Sequence, residues 1–217
     1  MDITVFIIVL IGWIFSLCLH EFSHAFVAYH GGDTSVREKG YLTFNPLKYT
    51  HPVYSILMPI IFLALGGIGL PGGAVYIETW RIRDRKWLSA VSLAGPSANL
   101  LVAFILGMLL SFTPLGQTSI TPALSFLAYL QVTAVVFNLI PLPPLDGFGI
   151  IAPYLNPGLR ETITRFGGSA ILIIFVLMWQ VPLISDIFGT ITLLITSILG
   201  IPLQEIAMGY SQFFFWK

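Results

Sequence analysis

Apolar residues run from Ile3 to Leu19 without a charge; His20, Glu21 and His24 then interrupt a stretch that stays apolar almost to His30. A hydrocarbon core takes about 20 apolar residues to cross. The runs that approach this length are Thr4–His30, Pro52–Leu70, Leu88–Phe112, Pro122–Ile140, Gly167–Val181 (with Ile163 and Phe166 ahead of it) and Leu183–Met208. Between the first two lies a polar segment, "GGDTSVREKGYLTFNPLKYTH", in which the alternation Tyr41-Leu42-Thr43-Phe44 suits a strand. A Gly/Pro-rich turn leads into a second β-prone stretch, Ala74–Thr79. "RIRDRKW" reads as a solvated basic run at the headgroup boundary, with Trp80 and Trp87 as interfacial anchors. The pattern predicts an all-α polytopic membrane protein of about five to six transmembrane helices, with short membrane-associated β-strands near the polar groups.

Composition sharpens this picture. The 217 residues are 56% hydrophobic and 9% charged, with mean hydropathy +0.90. Soluble domains carry roughly 25% charged residues, so a water-soluble globule is excluded. A net charge of zero gives no sign of a nucleic-acid partner; the lipid bilayer is the expected surrounding. One cysteine, Cys18, excludes an internal disulfide. Asp2 is the only early charge, and Leu17 stands where a lipoprotein cleavage site needs a small residue, so the first run is expected to be a retained helix. No linker, repeat or charged tail divides the chain. A single membrane-embedded domain over 1–217 is expected, with a core at 4–150 and C-terminal helices at 160–208.

Ionisable groups at membrane depth cost about 2–3 kcal/mol or more each and mark function by default. His20-Glu21-Phe22-Ser23-His24 fits H-E-x-x-H, which on a helix sets two imidazoles on one face, about 6 Å apart along the axis, with a glutamate beside them to hold a water. A catalytic zinc site has three protein ligands and one open position. Of the other histidines, His30 falls off the ligand face and His51 sits in a polar, interfacial segment. Asp186 stands alone in "LISDIF", whereas Asp146 follows a hydrophobic run within "NLIPLPPLDGFG", where prolines and a glycine fix the backbone. Rigid placement of one acid suits a third ligand, although an ordinary Pro-Asp-Gly turn has the same composition.

"HEFSH" followed far downstream by "FNLIPLPPLDG" resembles the site-2 protease family of intramembrane zinc metalloproteases. "AGPSAN" (Ala94–Asn99) is similar to that family's motif at its next core helix, and the segment after the first run resembles compact bacterial and archaeal members. The resemblance spans Cys18 to about Ile150. It implies one zinc ion per chain bound by His20, His24 and Asp146, with Glu21 as general base and a transmembrane protein as substrate. Asn138 matches the family's asparagine, which helps to hold the substrate or the oxyanion. No PDZ-like insertion or nucleotide-binding regulatory domain is expected. The chain departs from its relatives at Tyr49-Thr50-His51-Pro52 and at Gly72–Tyr76, where a substrate strand could dock. Two rivals use the same residues: a metal transporter, which would want further ligands along a path, and an inactive binding protein, against which the intact Glu21 argues.

The ligands also constrain topology. His20 and His24 lie towards the far end of the first run, and Asp146 follows the fourth. The three meet only if Pro52–Leu70 dips into the membrane and returns as a re-entrant segment, with Pro59, Gly66, Gly67, Gly69 and Pro71 to turn it. All ten lysines and arginines then fall on the ligand side, which the positive-inside rule makes cytoplasmic. A multi-pass protein of the cell membrane is expected, with its N-terminus outside and both its C-terminus and the opening of the active site towards the cytoplasm.

Overall fold

The computed structural model describes residues 3–45, 48, 75–112 and 120–214. These form nine α-helices: α1 (Ile3–Gly31), α2 (Ser35–Glu38), α3 (Arg85–Ser111), α4 (Ile120–Asn138), α5 (Asp146–Ile151), α6 (Pro157–Arg165), α7 (Gly167–Gln180), α8 (Pro182–Ile198) and α9 (Leu203–Phe213). Only α1, α3 and α4 are long and apolar enough to cross a membrane singly, and the pair α7–α8, bent by 97°, counts as at most one more. Three or four spans stand among the described residues. The five to six expected counted Gly167–Val181 and Leu183–Met208 as separate crossings. Pro182 supplies no N–H to continue α7 and instead starts α8. Gly200, at φ 70°, and Pro202 then break off α9. The re-entrant expectation for Pro52–Leu70 lies outside the described residues.

No strand occurs among the described residues. At Tyr41–Phe44 the backbone turns back on α2, with the Tyr41 amide donating to the Val36 carbonyl and Thr43 Oγ1 to Gly40. Val75–Glu78 has no regular structure, and its Val75 and Glu78 amides donate to the carboxylates of Glu21 and Asp33, where a strand would use a neighbour's carbonyls.

The bundle forms because each long helix divides its faces between lipid and protein. On α1, Ile3, Ile7, Ile11 and Phe15 recur at the outer face and remain exposed, while Val5, Val9, Trp13, Leu17, His20 and His24 are buried. α3 turns Leu101, Phe104, Ile105, Met108 and Leu109 outward. α4 is buried along most of its length and forms the centre of the core with Phe126, Leu127, Leu130 and Val132. Asp84 caps α3 by accepting from the Lys86 and Trp87 amides, a contact worth about 1 kcal/mol.

The end of α1 meets the start of α3. The Arg83 amide donates to the Gly31 carbonyl at 2.9 Å, and Gly32, at φ 122°, lets the chain pass the Arg81 carbonyl, which any Cβ there would strike. At the opposite end, α9 packs on the first turns of α4 and α1. Gly209 abuts the Pro122 carbonyl, and Phe213 stacks on Phe6 at 5.2 Å. The last described residues thus pack beside the beginning of α1.

Candidate metal centre

The i, i+4 spacing brings His20 and His24 onto the buried face of α1, with their Nε2 atoms 3.0 Å apart. Asp146 reaches them as the first residue of α5. The preceding loop is fixed by short backbone hydrogen bonds from Leu142 to Ile140 and from Leu145 to Leu142. Gly147 lies so close to the Leu139 carbonyl that a Cβ there would stand 2.2 Å from its oxygen. The Asp146 carboxylate lies 3.2 Å from His20 Nε2 through Oδ2 and 3.3 Å from His24 Nε2 through Oδ1. Among the described residues these three are the one group of histidines, cysteines and acids arranged to hold a metal ion. Donors about 2.0–2.1 Å from a tetrahedral zinc lie about 3.3 Å from one another; the two Nε2 atoms approach each other on that scale, and each meets a different oxygen of Asp146 on that scale.

α3 supplies the back of the site. His24 Nδ1 lies 2.6 Å from the Val91 carbonyl oxygen, and His20 Nδ1 lies 2.6 Å from Asn99 Oδ1. Both partners are acceptors, so each ring carries its proton on Nδ1 and turns an Nε2 lone pair towards the other ring and the carboxylate. Two lone pairs and an anion at such distances repel one another unless a cation or a shared proton lies among them. The chemistry of the donor set therefore fits a zinc ion. Between Val91 and Asn99, Gly95 passes directly beneath the rings. A Cβ on it would lie 2.3 Å from His24 Nε2 and 2.4 Å from His20 Nε2.

Glu21 is buried beside the cluster, and its Oε2 accepts from the Val75 amide at 3.2 Å. The Val75–Glu78 segment is held in turn by the loop after α1. Buried Asp33 accepts from the Glu78 amide at 2.7 Å and from both the amide and the hydroxyl of Ser35. Lys39 bridges Ser35 Oγ, the Tyr76 carbonyl and the Glu78 carboxylate. Lys39 and Arg81, both bonded to Glu78, hold its carboxyl below the usual glutamate range.

The remaining candidates separate. Asn138 is buried at the end of α4, and its Nδ2 finds no partner among the described residues. It lines a cavity of about 10 Å³ with Trp13, Leu17, His20, Asn99 and Ala134. His30 is exposed, bonds the Phe26 carbonyl and stays out of the cluster. Asp186 is exposed on α8, and His51 lies outside the described residues. Reading the motifs alone left Gly95 and Asn99 without individual roles and passed over Gln131, whose Oε1 accepts from Asn99 Nδ2 at 2.8 Å. Its signal was available: an isolated amide near the middle of a membrane-depth helix.

No family model matches the chain, and no solved structure does. Among named proteins, the chain is 49% identical over 176 residues to "Putative zinc metalloprotease Rip2" of Mycolicibacterium smegmatis, covering 80% of this chain and 67% of that protein. The protein of the same name in Mycobacterium tuberculosis H37Rv is 43% identical over 189 residues, 86% of this chain and 72% of the relative. "Putative zinc metalloprotease YwhC" of Bacillus subtilis is 33% identical over 178 residues, 75% of this chain and 77% of its own length. Relatives this similar over most of both chains, together with helices apolar enough to cross a membrane, establish that the chain belongs to the site-2 protease family of intramembrane zinc metalloproteases.

Proposed function

We propose that His20, His24 and Asp146 hold one zinc ion per chain, and that Glu21 serves as the general base for hydrolysis of a peptide bond within or near a transmembrane segment of a protein substrate. The observation that carries this reading is the convergence of two Nε2 atoms and one carboxylate at 3.0–3.3 Å, with both Nδ1 atoms engaged from behind. When bound, zinc supplies Lewis acidity that polarises the scissile carbonyl and lowers the pKa of a water it holds towards about 7.

The protein's own groups do the rest. Glu21 takes the proton from the attacking water on its carboxylate and returns it to the leaving amine. The Val75 N–H on Oε2 orients that carboxylate, leaving Oε1 to face the water. The unpartnered Nδ2 of Asn138 is a donor suited to the substrate carbonyl or its oxyanion. A substrate helix must unwind before its peptide bond is accessible, and Val75–Glu78, which lies in no helix and reaches Glu21 through the Val75 amide, is the segment suited to docking by strand addition. Replacing His20 or His24 by Ala is expected to abolish stoichiometric zinc in detergent-purified protein, measured by elemental analysis. Undiminished zinc would overturn the ligand assignment.

The reading extends to topology, with the His-bearing end of α1 and the opening of the site towards the cytoplasm and the start of α1 outside. Support comes from the Gly31–Arg83 contact, which joins the end of α1 to the start of α3, and from the basic residues Arg37, Lys39, Arg81, Arg83, Arg85 and Lys86 around that junction. Cysteines placed at the exposed positions Glu38 and Arg83 in a Cys18→Ser background are expected to react with impermeant thiol reagents from the cytoplasmic side alone. Labelling of the two from opposite sides would break the proposed arrangement.

A further inference from the structure

We infer that Gln131, which touches neither zinc ligands nor substrate, is a positioning residue that fixes the tautomer of His20 through the orientation of Asn99. The inference rests on the ligand assignment proposed above. Gln131 is fully buried on α4, and its Oε1 accepts from Asn99 Nδ2 at 2.8 Å. Asn99 is itself buried on α3, and its Oδ1 faces His20 Nδ1 at 2.6 Å. The three side chains form one line through three helices, and each link selects the next.

An asparagine amide has an accepting end and a donating end of nearly the same shape, so packing alone does not decide which end meets His20. The bond from Asn99 Nδ2 to Gln131 Oε1 is what pairs the accepting end with His20. By drawing the NH2 group of Asn99 to itself, the Gln131 carbonyl turns Oδ1 towards the imidazole. Oδ1 accepts only from an N–H, so His20 carries its proton on Nδ1 and leaves Nε2 free as a ligand atom. With the amide reversed, Asn99 would donate to Nδ1, the proton would move to Nε2, and the ligand atom would be blocked. Gln131 Nε2 has no partner among the described residues. The side chain meets this line through its carbonyl, which is the half the relay requires. His24 does not depend on such a choice, because its Nδ1 faces the Val91 backbone carbonyl, which cannot be turned.

The test is a double-mutant cycle read as zinc affinity, by chelator competition on full-length protein purified in detergent, with folding followed by circular dichroism. Gln131→Met removes the acceptor at similar volume and is expected to weaken zinc binding by about 10-fold or more, within the range for second-sphere partners of metal ligands. Gln131→Glu keeps an acceptor and is expected to bind zinc within about threefold of wild type, a rescue that a purely volumetric role would not produce. Asn99→Asp presents an acceptor to His20 whichever way it turns, so adding Gln131→Met to it is expected to cost little further affinity. An unchanged affinity in folded Gln131→Met, or an equal loss in both backgrounds, would overturn the relay. His20→Ala, run alongside, separates the two readings. If it retains zinc, the ligand assignment itself fails; if it loses zinc while Gln131→Met does not, only the relay fails.

Discussion

Glu21→Gln is expected to lower proteolytic turnover by about 10²–10⁴-fold, the span over which a positioned general base accelerates proton transfer, while zinc content and expression stay at wild-type levels. The amide has the same shape as the carboxylate, and its carbonyl can still accept from the Val75 N–H that Glu21 Oε2 now accepts. What disappears is the capacity to take a proton at neutral pH. The three donors that converge on the metal position do not include Glu21, so the ion has no reason to leave. Cleavage of a panel of single-span membrane proteins by wild type and variant, with zinc measured on the same preparations, decides the matter. Near wild-type turnover would exclude Glu21 as the base.

Gly95→Ala is expected to weaken zinc binding by about 10–100-fold, the range for disturbing the support of metal ligands, and to lower turnover by about 10²-fold, since displacement of a reacting group by about 1 Å costs that much. In an exposed helix the same substitution would gain about 1 kcal/mol. Here the added methyl would arrive 2.3 Å and 2.4 Å from the two Nε2 atoms, so both imidazoles must retreat by about an ångström to reach an ordinary contact distance. Neither can do so freely, because the Val91 carbonyl and Asn99 hold their Nδ1 atoms from the same helix. The secondary structure should survive and the metal should not, a separation that circular dichroism and zinc titration read together. Wild-type affinity in Gly95→Ala would mean that α3 does not shape the ligand cage.

The centre of this site was legible in the sequence because its chemistry is local in two places. His20, Glu21 and His24 declare themselves by helical spacing, and Asp146 by a Pro/Gly-rich loop that could hardly place it loosely. Their meeting is implied by the family resemblance, and the topology is then drawn to satisfy it. The support from α3 and α4 was less visible, since Asn99, Gly95 and Gln131 act through contacts between helices that no periodicity encodes. The span count suffered for a related reason. Hydropathy measures whether a segment tolerates lipid, not whether it is straight, and Pro182 and Gly200 divide apolar sequence into pieces too short or too bent to cross alone. Of the two β-prone stretches, Tyr41–Phe44 turns back on the helix before it, and in the other, side-chain carboxylates, not a neighbouring strand, receive the Val75 and Glu78 amides.

The three donors come from α1 and from the start of α5, and the back of the cage from α3, so no one helix carries the site. An ion held there acts as a rivet, joining elements that are remote in the chain. Its binding energy is then also cohesion of the bundle. A ligand at about 100 times its dissociation constant adds about 2.7 kcal/mol to the state that binds it, comparable to burying a large aliphatic side chain. In lipid, where apolar surface gains nothing by leaving the bilayer, such cohesion counts for more than it would in water. Catalysis and helix assembly therefore draw on the same atoms, and a chelator strong enough to silence the enzyme should also loosen its fold.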